Sequence, residues 1–149
     1  MNECTFCKIV NKKIPCYLIN DDEKHIAFMD IFPPTFEENI TMPVVLVITK
    51  KHLGSNVFED LNIKEYEELL KYTRKIARAI QKSINPLRVC MVFEGLEINH
   101  IHTKLYPISL DYYPGYLSTK KGPNNEDTKA PDEYLIKISE KIRNTLKND

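Results

Sequence analysis

Residues 99–106 read Asn99-His100-Ile101-His102-Thr103-Lys104-Leu105-Tyr106. Side chains alternate between the faces of a β-strand, so this order predicts a strand with two unlike sides. His100, His102, Lys104 and Tyr106 share one face, while Ile101 and Leu105 point the other way into a core. Two imidazoles and an ammonium then stand in a row at steps of about 7 Å. Spacing alone leaves two readings open. The row is either the solvated face of an edge strand or a working site.

Upstream of this strand, Val89 to Phe93 (VCMVF) is a continuous apolar run, and so is Val44 to Ile48 (VVLVI). Runs of this kind predict strands covered on both faces. Between them, apolar residues at Ile63, Tyr66, Leu69, Leu70, Ile76, Ala77 and Ile80 recur with helical spacing, predicting one long helix from Ile63 to Lys82. Asn62 stands ready to cap it, with Glu65 three residues on. Tyr17 to Ile19 and His25 to Ile31 read as strands joined across a polar hairpin, and Pro33-Pro34 ends the second. Thr5 to Asn11 reads as a short helical turn. Downstream, Asp111 to Ala130 reads as loop. A final helix from Pro131 to Leu146 carries the stripe Leu135, Ile138, Ile142, Leu146. About five strands, one long central helix and a C-terminal helix in this order predict an α+β fold with a mostly antiparallel sheet.

A chain of 149 residues suits a single domain, 1–149, with one real core. Lys plus Arg and Asp plus Glu are 21 each, so no long-range field gathers nucleic acid or an acidic membrane. No apolar run is long enough for a membrane span, and the opening MNECTFCKIVNKK has no secretory core. The expected location is cytoplasmic. There, the four cysteines Cys4, Cys7, Cys16 and Cys90 point to metal, redox chemistry or burial rather than a disulfide framework.

Cys4 and Cys7 lie three residues apart on the predicted turn, a spacing at which both thiolates can hold one zinc ion. Two further ligands would have to come from elsewhere, and His52 and His100 are candidates. A pair of half-buried thiols is the plain alternative. A redox Cys-x-x-Cys needs a preceding strand, for which three residues leave no room. Cys16 and Cys90 are expected to pack as small apolar groups, and His25 to sit on the surface of its hairpin. Lys71, Arg74, Lys75, Arg78 and Lys82 read as the solvated side of the long helix.

The segments CTFCKIVNKKIP, DDEKHIAFMDIFPP, VLVITKKH and HIHTKLYP occur in an order and spacing that resemble the histidine triad (HIT) superfamily of nucleotidyl hydrolases and transferases. The resemblance covers residues 4–107, and 108–149 form a variable C-terminal loop and helix. It implies a HIT-like fold assembled as a homodimer. It implies His102 as nucleophile, and a structural zinc held by Cys4, Cys7, His52 and His100. It also implies a site for a nucleoside monophosphate. Phe6, Ile9, Phe28 and Ile31 would form the walls of the base pocket, and Asp30 would accept from the ribose hydroxyls.

Three departures mark a divergent branch. Lys104 stands where the third triad histidine is usual, as a point charge able to meet phosphate. The more distant uridylyltransferase branch carries glutamine there. Glu94-Gly95-Leu96-Glu97-Ile98-Asn99 replaces the usual phosphate loop, placing two carboxylates where they repel substrate unless turned aside. Pro43-Val44 replaces a Gly-His pair. The expected function is hydrolysis or transfer of a nucleoside phosphate derivative, a phosphoramidate or dinucleoside polyphosphate, through a covalent nucleotidyl-His102. Lys104 assists in that scheme. The alternative is a zinc-stabilised nucleotide-binding protein without turnover. A redox or metal-handling protein centred on Cys4 and Cys7 is a third reading. The Tyr-rich stretch 112–116 would either replace lost contacts, serve the dimer interface or pack on itself.

Overall fold

The β-branched run Val45–Thr49 forms the middle strand of a five-stranded sheet in a computed structural model that describes residues 4–34, 41–109 and 129–148. The elements follow the chain as α1 (Thr5–Val10), β1 (Leu18–Asp21), β2 (His25–Met29), β3 (Val45–Thr49), α2 (Ile63–Ile84), β4 (Arg88–Val92), β5 (His102–Ile108) and α3 (Asp132–Lys147). The sheet order is β1-β2-β3-β5-β4 and every pairing is antiparallel. The predicted α+β class and antiparallel sheet are therefore present.

The register assigns each strand two faces. Ala27, Met29, Val45, Val47 and Leu105 join Leu69, Ile76 and Ile80 of α2 and Leu135 and Ile142 of α3 in the main core. On the opposite face Ile26, Phe28, Leu46 and Ile48 pack with Phe6 of α1. Two covered faces are what make β3 apolar from Val45 to Ile48. Helix α3 is fastened by polar bonds as well. The Tyr17 hydroxyl donates to Asp132 at 2.6 Å and Arg143 donates to the Leu18 carbonyl at 2.9 Å. The first of these lifts the Tyr17 phenol to about 12 and holds the exposed Asp132 carboxyl below its usual range.

Helix α2 begins as its cap predicts. Asn62 Oδ1 accepts from the Glu65 N–H at 2.9 Å, and Glu65 accepts from the Asn62 N–H at 3.2 Å. Asn85, in the left-handed region at φ 49°, ends it. Asn62→Ala is expected to cost about 1 kcal/mol. A urea titration should show the midpoint fall with an unchanged slope.

Several expectations are corrected. The His strand is not at an edge, because β5 lies between β3 and β4 and is buried throughout. Strand β4 is instead one edge of the described sheet, where Arg88 and Met91 are exposed, so VCMVF is not a strand covered on both sides. Strand β5 starts at His102 rather than Asn99. Residues 99–101 bond away from a ladder, with the His100 N–H on Ile98 and the Ile101 N–H on Leu53. Ile63, in the first turn of α2, is exposed, while Tyr72 and Ala79 join the buried face. His25 is buried rather than superficial. Its ring stacks on Tyr72 with centroids 5.1 Å apart and meets Asp22 through Nδ1. The Tyr-rich stretch 112–116 and most of the predicted 111–130 loop lie outside the described residues. Among the described residues, no helix is long and apolar enough to cross a membrane.

Candidate functional site

Antiparallel pairing of β3 with β5 sets Ile48 opposite His102. The residues that leave β3 therefore lie beside those that enter β5, which brings His52 to His100 across 48 positions of chain. Helix α1 supplies the rest. Cys4 caps it and Cys7 follows one turn later, so both sulfurs face the same side. The Cys7 Sγ lies 3.2 Å from His52 Nδ1 and 3.6 Å from His100 Nδ1. The Cys4 Sγ is 3.5 Å from His100 Nδ1, and the two Nδ1 atoms are 3.3 Å apart. All four donor atoms lie within 4.8 Å of one another.

These separations can be tested against a metal. Tetrahedral zinc with Zn–S of about 2.3 Å and Zn–N of about 2.0–2.1 Å requires sulfur–nitrogen and nitrogen–nitrogen edges of roughly 3.6 and 3.3 Å. The three sulfur–nitrogen separations and the nitrogen–nitrogen separation given above match those edges to within a few tenths of an ångström, and the remaining donor pairs lie within 4.8 Å. Ring chemistry agrees as well. His100 Nε2 lies 2.7 Å from the Thr49 carbonyl, which can only accept, so the proton resides on Nε2 and the Nδ1 lone pair faces the cluster. Burial is the main influence holding the His100 pKa below its ordinary value, against the Thr49 bond, which raises it. A neutral imidazole is the form that ligates. The residues present thus fit a closed Cys2His2 zinc site.

Two residues on, at the start of β5, His102 Nδ1 lies 2.7 Å from the His100 carbonyl. The carbonyl again accepts, so Nδ1 carries the proton and the lone pair is on Nε2. Phe6 packs edge-on against both imidazoles, with centroids 5.2 Å from His102 and 5.7 Å from His100. One aromatic side chain of α1 thereby spans the metal cluster and the neighbouring cleft.

That cleft measures about 380 Å³. Phe6, Ile9, Phe28, Asp30, Ile31, His102 and Lys104, all singled out from the sequence, line it together. Its apolar walls are completed by Ile14, Phe32, Leu46 and Ile98. Lys104 is buried, with Nζ 3.5 Å from Asp30 Oδ2 and 3.1 Å from Glu94 Oε2. Asp30 Oδ1 also accepts the Phe32 N–H at 3.0 Å, which fixes the carboxylate plane. The Tyr106 hydroxyl donates to Glu94 Oε1 at 2.5 Å. Such a buried ionic group persists only because every charge has a partner.

The sequence reading did not find Glu94 as a partner of Lys104. It placed Glu94 only in an acidic loop, and the signal needed was its position just past the strand that pairs with Lys104. Cys16 packs as expected but also lines the cleft. The Thr49 carbonyl, which orients His100, carries no side-chain signal at all.

The fold and site together define a small α+β protein whose cleft offers apolar walls for a flat group and a charged, hydrogen-bonding end beside a tautomer-fixed imidazole. The chain belongs to the HIT domain family, whose model matches residues 11–107. An uncharacterized HIT-like protein of Borreliella burgdorferi is 32% identical over 114 residues, spanning 72% of this chain and 76% of that protein. An adenosine 5'-monophosphoramidase of Schizosaccharomyces pombe is 28% identical over 144 residues, 94% of this chain and 98% of that one. The crystal structure of a zinc-bound histidine triad family protein from Mycobacterium smegmatis superposes with a TM-score of 0.72 at 22% identity. It covers 98% of this chain and 94% of its own.

Proposed function

We propose that this protein is a zinc-containing nucleotide hydrolase or nucleotidyl transferase that acts on a nucleoside phosphate derivative through His102. The observation that carries the reading is the 2.7 Å contact of His102 Nδ1 with the His100 carbonyl, in a ring that lines a cleft with apolar walls. The phosphoramidase name of the fission-yeast relative supports the substrate class. The base would lie between Phe6, Ile9, Phe28 and Ile31. Asp30, held at both oxygens, keeps lone pairs for the ribose diol.

In the first step the His102 Nε2 lone pair forms a bond to the α-phosphorus, and the bond from phosphorus to the leaving group breaks. Lys104 would stand beside the developing charge on the phosphoryl oxygens. In the second step water attacks the nucleotidyl-histidine, and His102 departs with its electron pair. Over both steps hydroxyl is added to phosphorus and hydrogen to the leaving group. The zinc held by Cys4, Cys7, His52 and His100 would be structural, tying α1 to the entrance of β5. With four protein ligands it would keep no open position for substrate. A homodimer in the cytoplasm remains part of the proposal.

Hydrolysis of an adenosine phosphoramidate by the purified chain tests the reading. Turnover with a transient mass gain of one nucleotidyl group on His102 is expected. Nucleotide binding with no turnover and no adduct would leave the second reading, a binding protein. The observation behind that second reading is that both neighbours of Lys104 are carboxylates. Asp30→Ala is expected to weaken binding of a nucleoside monophosphate about tenfold or more, since a charge-assisted hydrogen bond is worth about 1.5–3 kcal/mol. Unchanged affinity by calorimetry would refute the ribose role.

A further inference from the structure

The walls of the cleft differ in what holds them. Phe28 stands on β2 and Ile31 just past it, and β2 is paired with a strand on each side. Another part of the lining comes from one stretch near the amino end, with Phe6 and Ile9 on α1 and Ile14 and Cys16 after it. Helix α1 has six residues, no side-chain bond at its cap and no acidic residue in its first turn. A helix this short does not stand alone in water. It is tied to the sheet by the packing of Phe6, Ile9 and Val10, and by the two sulfurs that face His52 and His100. Phe6 belongs to both sides of this arrangement. Its ring lies edge-on to His100 of the donor cluster, with centroids 5.7 Å apart, and to Phe28 of the sheet wall at 5.9 Å.

We infer that zinc at Cys4, Cys7, His52 and His100 regulates nucleotide affinity through Phe6: the loaded cluster fixes α1, and α1 sets the Phe6 ring against the base. The inference rests on the nucleotide reading of the cleft and adds a regulation of that same site. Zinc is then more than a brace for the fold. Without it Cys4 and Cys7 lose their shared partner, while the pairing of β2 with its neighbours is untouched. One wall of the cleft stays on the sheet and the other is free to move. Only the fraction of molecules with α1 docked then offers both walls, and the apparent affinity for a nucleotide falls by that fraction. Linkage of this kind is reciprocal, so bound nucleotide must tighten zinc by the same factor.

The test measures both arms of the linkage. Calorimetry gives the dissociation constant of adenosine 5'-monophosphate for the zinc-loaded protein and for the protein stripped by a chelator. Competition with a chromophoric chelator gives the zinc affinity with and without saturating nucleotide. Stripping should weaken the nucleotide about tenfold, and the nucleotide should tighten zinc about tenfold. Ile31→Ala, in the wall outside α1, should weaken the nucleotide and keep that ratio. Phe6→Leu keeps all four donor residues, yet should shrink the ratio to about threefold or less. Phe6→Met, of similar volume, takes its place if the leucine variant does not fold. A wild-type ratio below about threefold overturns the inference. An undiminished ratio in the Phe6 variant overturns it as well, because a linkage through unfolding of the whole chain does not need that ring. If the stripped protein does not stay folded, the zinc affinities of wild type and Phe6 variant, with and without nucleotide, decide the same question. Nucleotide binding that ignores zinc sinks this inference alone. If the zinc-loaded wild type does not bind adenosine 5'-monophosphate, the nucleotide reading falls and this inference with it.

Discussion

Replacing His102 by alanine is expected to lower phosphoramidate turnover by at least about a thousandfold, since each factor of ten corresponds to about 1.4 kcal/mol of lost barrier reduction. The reason lies in the two ring nitrogens. The His100 carbonyl holds the Nδ1 proton at 2.7 Å, so the tautomer with its lone pair on Nε2 is set before substrate arrives. Alanine removes both the attacking atom and the covalent intermediate, and among the described residues no other side chain lining the cleft offers a neutral nitrogen in its place. The nucleotidyl adduct should vanish from the intact-mass spectrum of the variant. Metal content and thermal unfolding should stay close to wild type, because His102 contributes no donor atom to the Cys4, Cys7, His52 and His100 cluster. Equal turnover in variant and wild type would sink the catalytic assignment of His102.

Cys4→Ser and Cys7→Ser are each expected to lose the metal and at least about 3 kcal/mol of stability, a drop of roughly 10 °C in Tm for a chain of this size. Cys4 caps α1 and Cys7 lies within it, a six-residue helix held to the sheet by buried Phe6 and the half-buried Ile9 and Val10, so the metal would be a main tie for this end of the chain. Serine replaces a thiolate by a neutral hydroxyl, which is a far poorer zinc ligand. The discriminating measurement pairs metal analysis with calorimetry in the presence and absence of a chelator. The chelator should bring the wild-type Tm down to that of the variants and leave the variants where they are. Wild-type metal content in both variants would refute the ligand assignment.

How much of this was legible beforehand varies with the kind of signal. The helix of residues 63–84 declares its start in Asn62 and Glu65, and both cap bonds are present, because a cap is a contact between residues three apart. The apolar run Val44 to Ile48 predicts a doubly covered strand, and β3 (Val45–Thr49) is one. The similar run Val89 to Phe93 misleads, since an apolar strand reads alike whether it is central or at the edge of the described sheet. His25 misleads for the opposite reason. A histidine in a polar hairpin reads as surface, but Tyr72 of the long helix arrives from 47 residues away to cover its ring.

Local pattern by itself determined the α+β class, the alternation that aims His102 and Lys104 to one side, and the Cys4–Cys7 pair, because each rests on neighbours in the chain. Family resemblance then singled out the cleft residues. The tertiary structure alone decided that the His strand is buried between β3 and β5's other neighbour, β4, and that His52 and His100 meet the two sulfurs at zinc-like separations. It also decided that Lys104 lies between Asp30 and Glu94. Those outcomes follow from sheet order and register, which join residues as far as 96 positions apart, and no periodicity in a sequence encodes which strands become neighbours.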